Sequence, residues 1–301
     1  MRRIVEIVGL LLLFALQLSA QQTYKESKLF SKSYDYKQGE TIRVTGERTF
    51  ITISVWSEPK VQAEVEVVSR SNNQAQAKID LEKVKVSFQK KGKTIYYNNA
   101  LRIQSEKDKP QSNLKTILHL YVPAFAIMNI SSSFGEVIME GDFEELLLTS
   151  QFSTIALENF DGKLEIDSKY DKIKCTETQG VIVFKGNRTD LTLNKPAGEI
   201  DLELEYGNLG IMQLDAQSIL TASTHHSPID LIFPKDSKAA IEVSCDGCDV
   251  NVDNCNSITD EEIKKNKHKV KIGNTEKQKS RIASYQGEIT IITTNSITTT
   301  N

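Results

Sequence analysis

Several groups of residues in this chain have types and spacing that could support chemistry. Cys245-Asp246-Gly247-Cys248 is a C-x-x-C motif, with Cys255 close behind. Such spacing serves a redox centre, part of a zinc site or a structural disulfide. A thioredoxin-type centre sits at a helix start in an α/β pattern, and that context is absent. His225-His226 is an adjacent pair, but metal ligation needs further ligands that the spacing does not supply. Glu199, Asp201, Glu203 and Glu205 alternate with Ile200, Leu202 and Leu204. Carbohydrate hydrolysis or elimination needs clustered carboxylates. Here the alternation puts all four on the outward face of one strand. Ile182 and Phe184 are expected at comparable outward sites next door, and Asp161 and Asp167 remain a loose pair. Asp249-Val250-Asn251-Val252-Asp253 begins like a calcium loop, but its sixth position is Asn254 instead of Gly. No catalytic, cofactor-binding or metal-ligating residue is assigned.

The elements that would carry these residues follow a repeat. Phe134, Phe152 and Tyr170 are 18 apart, Tyr206 lies 36 further on, and Arg188 takes the intervening place. Three residues after each stands an aliphatic: Val137, Ile155, Ile173, Leu191, Leu209. Two positions later comes another apolar residue: Met139, Leu157, Cys175, Leu193, Ile211, Leu231. In the next round His226 and Ile229 are displaced by two residues. Period-two alternation means strand. The other half of each round offers a second strand, with inward candidates Met128/Ile130, Leu146/Leu148, Leu164/Ile166, Val181/Val183, Ile200/Leu202 and Ile219/Thr221. Two strands per round, repeated at a fixed step, predict an all-β, single-stranded, right-handed parallel β-solenoid with coils of about 18 residues. The aromatic series, Phe134, Phe152, Tyr170, Tyr206 and Tyr285, is expected to form a corner column. Cys175 is expected inside the coil as a free, buried thiol, too far along the stack to reach the other three cysteines.

The chain begins with Arg2-Arg3, the apolar run Gly9 to Leu16, and Ser19-Ala20, the pattern of a cleaved export signal. Export to an oxidising compartment makes a disulfide the preferred state of the 245–255 cysteines. Three pairings are open. Cys245–Cys248 is favoured, with Cys255 the alternative partner. No Cys precedes Cys175, so lipid attachment at a mature N-terminal Cys is not expected. The 301 residues carry 37 Lys+Arg and 40 Asp+Glu, net −3, which gives no sign of a nucleic-acid partner. The expected organisation is signal peptide 1–20, N-terminal β cap and first coil 21–125, regular solenoid 126–253, irregular charged insertion 254–281, and final coil with polar tail 282–301. Strands are expected at 51–56, 61–68, 84–88 and 114–122, a helix at 72–79 and a helix start at 259–262. Residues 106–112 and the lysine run 264–269 are read as loops.

In order, Phe50-Ile51-Thr52-Ile53-Ser54-Val55-Trp56, Leu120-Tyr121-Val122-Pro123, Ser133-Phe134-Gly135-Glu136-Val137, Tyr206-Gly207-Asn208-Leu209 and Tyr285-Gln286-Gly287-Glu288-Ile289 resemble an exported bacterial β-strand-repeat family called "putative adhesin", of unknown function and common in Bacteroidetes-type genomes. The resemblance covers most of residues 40–293 and offers no catalytic residues to carry over. It implies a non-catalytic, adhesin-like or envelope-associated interaction module, periplasmic or at the cell surface. Its partner would be a protein or glycan of the envelope, with no cofactor and no transmembrane segment after signal cleavage. The competing readings are a carbohydrate-active β-helix, meaning a polysaccharide lyase or hydrolase, and a periplasmic sensor or accessory protein.

Overall fold

The computed structural model describes residues 23–234, 239–253, 258–273 and 280–294. The expected signal peptide, Cys255 and the polar tail beyond 294 lie outside them. The described chain is almost entirely β. Its strands form one open sheet system, not closed into a barrel.

The N-terminal part contains β1 (Tyr24–Asp35), β2 (Thr41–Glu47), β3 (Thr49–Trp56), β4 (Lys60–Ser71), helix α1 (Gln74–Leu81), β5 (Val84–Lys91), β6 (Thr94–Leu101) and β7 (Asn113–Pro123). Asn73 caps α1, its Oδ1 accepting from the Gln76 amide at 3.2 Å. Strands β1, β2 and β6 were not among the sequence expectations. The loop at 106–112 includes a 3-10 turn, Glu106–Asp108.

The middle of the chain alternates between two sheet faces. It comprises β8 (Ala126–Ser133), β9 (Glu136–Glu140), β10 (Phe143–Gln151), β11 (Thr154–Lys169), β12 (Lys172–Asn187), β13 (Asp190–Asn194), β14 (Ala197–Glu205), β15 (Leu209–Met212), β16 (Ile219–His225) and β17 (Ile229–Pro234). All neighbours here pair in parallel. On the shorter face Val137, Ile155, Ile173, Leu191, Leu209 and Ile229 stand in consecutive register, and all are buried. On the longer face the register runs Met128, Leu146, Leu164, Ile182, Ile200, Leu220.

That second series corrects two inward assignments. Ile182 and Phe184 are buried, whereas Val181 is 43% exposed and Val183 is only part-buried. Leu220 and Ala222 are buried, whereas Ile219 and Thr221 face out. A slip of one residue turns a strand inside out. In Val181-Ile182-Val183-Phe184 every residue is apolar, so alternation could not choose. At 219 the two-residue insertion that displaces His226 had already shifted the strand.

The C-terminal part is β18 (Ile241–Asp246), β19 (Val250–Asp253), β20 (Ile258–Lys264), β21 (Lys267–Ile272), β22 (Ser280–Tyr285) and β23 (Ile289–Thr294). Residues 259–262 belong to a strand and not to a helix start. The lysine run forms the end of β20, the turn and the first half of β21 in an antiparallel hairpin in which Lys271 pairs with Asp260 at 3.0 Å. The order in space departs from the order in sequence. Strands β22 and β23 lie between β16/β17 and β18/β19, parallel to both. The other end repeats the device: β2 and β3 lie between β6/β7 and β8/β9. Antiparallel strands then cover the parallel edges: β4 on β7, β1 on β4, β5 on β6, and β21 with β20 on β18. At the exposed β19 edge, the Val250 amide donates to His268 Nδ1 at 3.2 Å, and Nε2 lies 2.8 Å from Glu261. Covered edges resist unwanted strand addition.

Candidate functional site

Each round turns one corner through a residue in the left-handed region. Phe134, Phe152, Tyr170, Arg188, Tyr206 and His226 all have φ between 51° and 58°. This conformation is unfavourable for residues with a Cβ, so the contacts made there must hold it. The rings lie flat on one another: Phe134–Phe152 centroids are 5.0 Å apart, Phe152–Tyr170 4.8 Å and Tyr206–His226 4.9 Å. Arg188 fills the gap in the aromatic spacing. Its guanidinium lies 5.7 Å from the Tyr170 ring and 5.5 Å from that of Tyr206. The result is a continuous ridge whose aromatic members stand about half exposed. Tyr285 is not on it. It pairs with His225 on the longer face, and Gln286 adopts the corner conformation.

Directly behind the ridge runs a buried polar ladder. Asp171 accepts from Ser150 Oγ, the Ser153 amide and Ser168 Oγ, each at 2.6 Å. Ser168 also meets Thr189 at 2.9 Å, and Ser132 meets Ser153 at 3.3 Å. These bonds satisfy groups that burial would otherwise penalise. Where the ladder position is Gly207, a Cβ would collide with the Thr189 carbonyl.

Beside the ridge, on the longer face, lies a shallow groove of about 500 Å³ lined by Asp167, Lys169, Lys185, Asn187, Glu203, Glu205 and His225. Gly186 lies between its outward-facing Lys185 and Asn187, and a Cβ there would run inward into Phe184 and Leu204. Lys185 approaches Glu203 at 3.6 Å, and Asn187 donates to Glu205 at 2.8 Å. The ring faces are occupied by one another. What the ridge presents to a ligand is ring edges, hydroxyls, a guanidinium and an imidazole, next to carboxylates and amines. This suits polar recognition. Glu199 and Asp201 stand between Val181 and Val183 on one side and Ile219 and Thr221 on the other. No carboxylate faces them from an adjacent strand. Among the described residues, no three His, Cys, Asp or Glu side chains come together as a metal site.

Cys175 is buried between Leu157 and Leu193 in register, and desolvation pushes its thiol up to about 12. The sulfurs of Cys245 and Cys248 are bonded across the Asp246-Gly247 corner, with Cα atoms 5.6 Å apart. A second corner escaped sequence reading. Gly162, Gly180 and Gly198 stack at steps of 18 with φ of 146°, 113° and 101°, following left-handed Asn159, Glu177 and Lys195. The signal was present as a glycine periodicity, hidden beneath the stronger aromatic one.

No family model matches the chain, and neither does any curated protein. Solved structures do. One named "putative adhesin" from Parabacteroides distasonis is 12% identical, with 89% of this chain and 97% of that one covered at a TM-score of 0.39. One of the same name from Bacteroides fragilis is 12% identical over 88% of this chain and 97% of that one, TM-score 0.40. A third, named "putative lipid binding protein", also from Parabacteroides distasonis, is 9% identical over 89% and 96%, TM-score 0.44. The first two names agree with the family resemblance drawn from the sequence.

Proposed function

We propose that this chain is an exported, non-catalytic, right-handed parallel β-solenoid that binds an envelope protein or glycan through the corner ridge and its groove. The observation that carries this reading is the unbroken stack from Phe134 to His226. It holds six strained, half-exposed positions in a row beside a polar groove. The consecutive registers at steps of 18 support the coil, and the handedness follows from the rule for parallel crossovers. Residues 21–125 would form the cap and first coil, 126–253 the regular stack. Residues 254–281 would be an insertion built as a hairpin, and 282–301 a last coil with a tail. The Cys245–Cys248 bond suits an oxidising compartment, periplasm or cell surface. A carbohydrate-active enzyme finds less support, because the acidic strip on β14 has apolar, hydroxyl, lysine, amide and imidazole neighbours in register and no second carboxylate.

The test is a glycan and envelope-protein binding screen with residues 21–301. Arg188→Ala and Tyr206→Ala should weaken a genuine hit about tenfold or more, with the circular dichroism spectrum unchanged. Hits indifferent to ridge and groove substitutions would refute the site. Turnover of a polysaccharide would refute the non-catalytic reading.

A further inference from the structure

Charge is divided unevenly along this molecule. Residues 23–125 carry 18 Lys+Arg against 11 Asp+Glu, net +7, whereas residues 126–301 carry 17 against 28, net −11. The basic part ends in β1 and β5, each paired on one side only among the described residues. Strand β5 has Lys85, Lys90 and Lys91 and no acid, while β1 has Lys25, Lys28 and Lys32 against Glu26 and Asp35. Three of these lysines are neutralised, Lys25 by Glu66, Lys28 by Glu82 and Lys90 by Glu40. Lys32 instead meets the Phe88 carbonyl at 3.3 Å and lies 4.9 Å from the Tyr34 ring. Lys85 and Lys91 are exposed.

The two strands do not pair with each other, and a hollow lies between them. A cleft of about 620 Å³ has Ala63 and Val65 as its floor and Phe30, Val86 and Phe88 as its walls. At its lip Leu29 is 77% exposed, the highest value for a large apolar side chain among the described residues. Lysines on edge strands also discourage strand addition, but that role needs neither an apolar cleft nor an exposed leucine. A small soluble anion would have no use for the cleft, and a neutral apolar molecule none for the lysines. Both features together match an amphiphile with an anionic head.

We propose that this end of the molecule docks on an anionic phospholipid surface, with apolar chain entering the β1/β5 cleft and headgroup phosphates meeting Lys32, Lys85 and Lys91. This surface is separate from the corner ridge and does not depend on the function proposed for it. The experiment is co-sedimentation of residues 21–301 with vesicles of phosphatidylcholine alone or with 30% phosphatidylglycerol, the fraction being chosen on the order of a typical anionic leaflet. Binding is expected to the anionic vesicles and to fall as salt is raised. Each of Lys32→Glu, Lys85→Glu and Lys91→Glu should lower partitioning by about fivefold. Leu29→Asp should also lower it. The control pair Lys172→Glu and Lys174→Glu, exposed on β12 and outside both cleft and groove, should change it little. Equal binding to both vesicle types, no binding to either, or an equal loss in the control pair would overturn the proposal. So would chain that self-associates without pelleting with vesicles.

Discussion

Arg188 stands where the aromatic spacing demands a ring, and its planar guanidinium substitutes for one between Tyr170 and Tyr206. Its φ of 54° adds a backbone cost that glycine would not incur. Arg188→Gly should therefore unfold at a higher temperature than Arg188→Ala, by the equivalent of about 1 kcal/mol. Both should fall below the parent. The reverse order in thermal melts would mean that the left-handed corner is wrong. Cys175 makes a pH-dependent claim. Below about pH 8.5 its thiol keeps its proton whether folded or unfolded. Between there and the folded value of about 12 only the unfolded chain releases it, so stability falls as pH rises. Cys175→Ala should show a shallower decline in urea midpoint between about pH 8 and pH 11. Tyr97, whose hydroxyl is also pushed up by burial, leaves a residual slope in both proteins. Identical slopes would place the thiol in solvent. The Cys175 column could be read from sequence because Leu157 and Leu193 flank it at the repeat distance. The stacking of Arg188 could not, because periodicity of residue type does not register that a cation and a ring can share a shape.

At the level of the elements, the glycine corner gives the sharpest contrast. A Cβ on Gly180, at φ 113°, would run into the Gly162 carbonyl, whereas one on Gly210 would meet nothing closer than 3.7 Å. Gly180→Ala should cost about 2 kcal/mol or more. Gly210→Ala should stay within about 0.5 kcal/mol of the parent, or stabilise it slightly. Similar denaturant midpoints for the two variants would contradict the close stacking of the rounds. The strands of the regular region were legible because each buries one side, and their registers follow wherever the opposite side is polar. Legibility failed at Val181–Phe184, where both sides are apolar. It failed again at 259–269, where acids and lysines look like solvated helix or loop, whereas in the ladder they face one another across strands as Lys271–Asp260 and Lys269–Glu242. The ends failed for another reason: β1, β2 and β6 take their places through partners far away in sequence, which no local pattern reports.

In the middle of the chain each strand pairs only with the neighbours on its own face, so damage should stay local. Removing residues 280–294 takes out the layer that joins β16/β17 to β18/β19. Hydrogen exchange should then accelerate in 219–272 while 154–194 keep their protection. Uniform loss of protection would show that the stack melts as one body. The same layer bears on how the chain is made. Strands β18 and β19 leave the ribosome before the segment that seats them exists. At typical synthesis rates the roughly forty residues separating Asp253 from Thr294 amount to a delay of about 2–8 s. During that interval their parallel edges have no neighbour to rest on. At the start of the chain β2 and β3 gain one neighbour from β6 and β7 and the other once β8 and β9 have followed. The C-terminal layer must therefore close last, with the final fifteen or so described residues acting as the closing stitch. A chain stopped shortly before residue 280 would keep β18 and β19 and lack the layer that seats them.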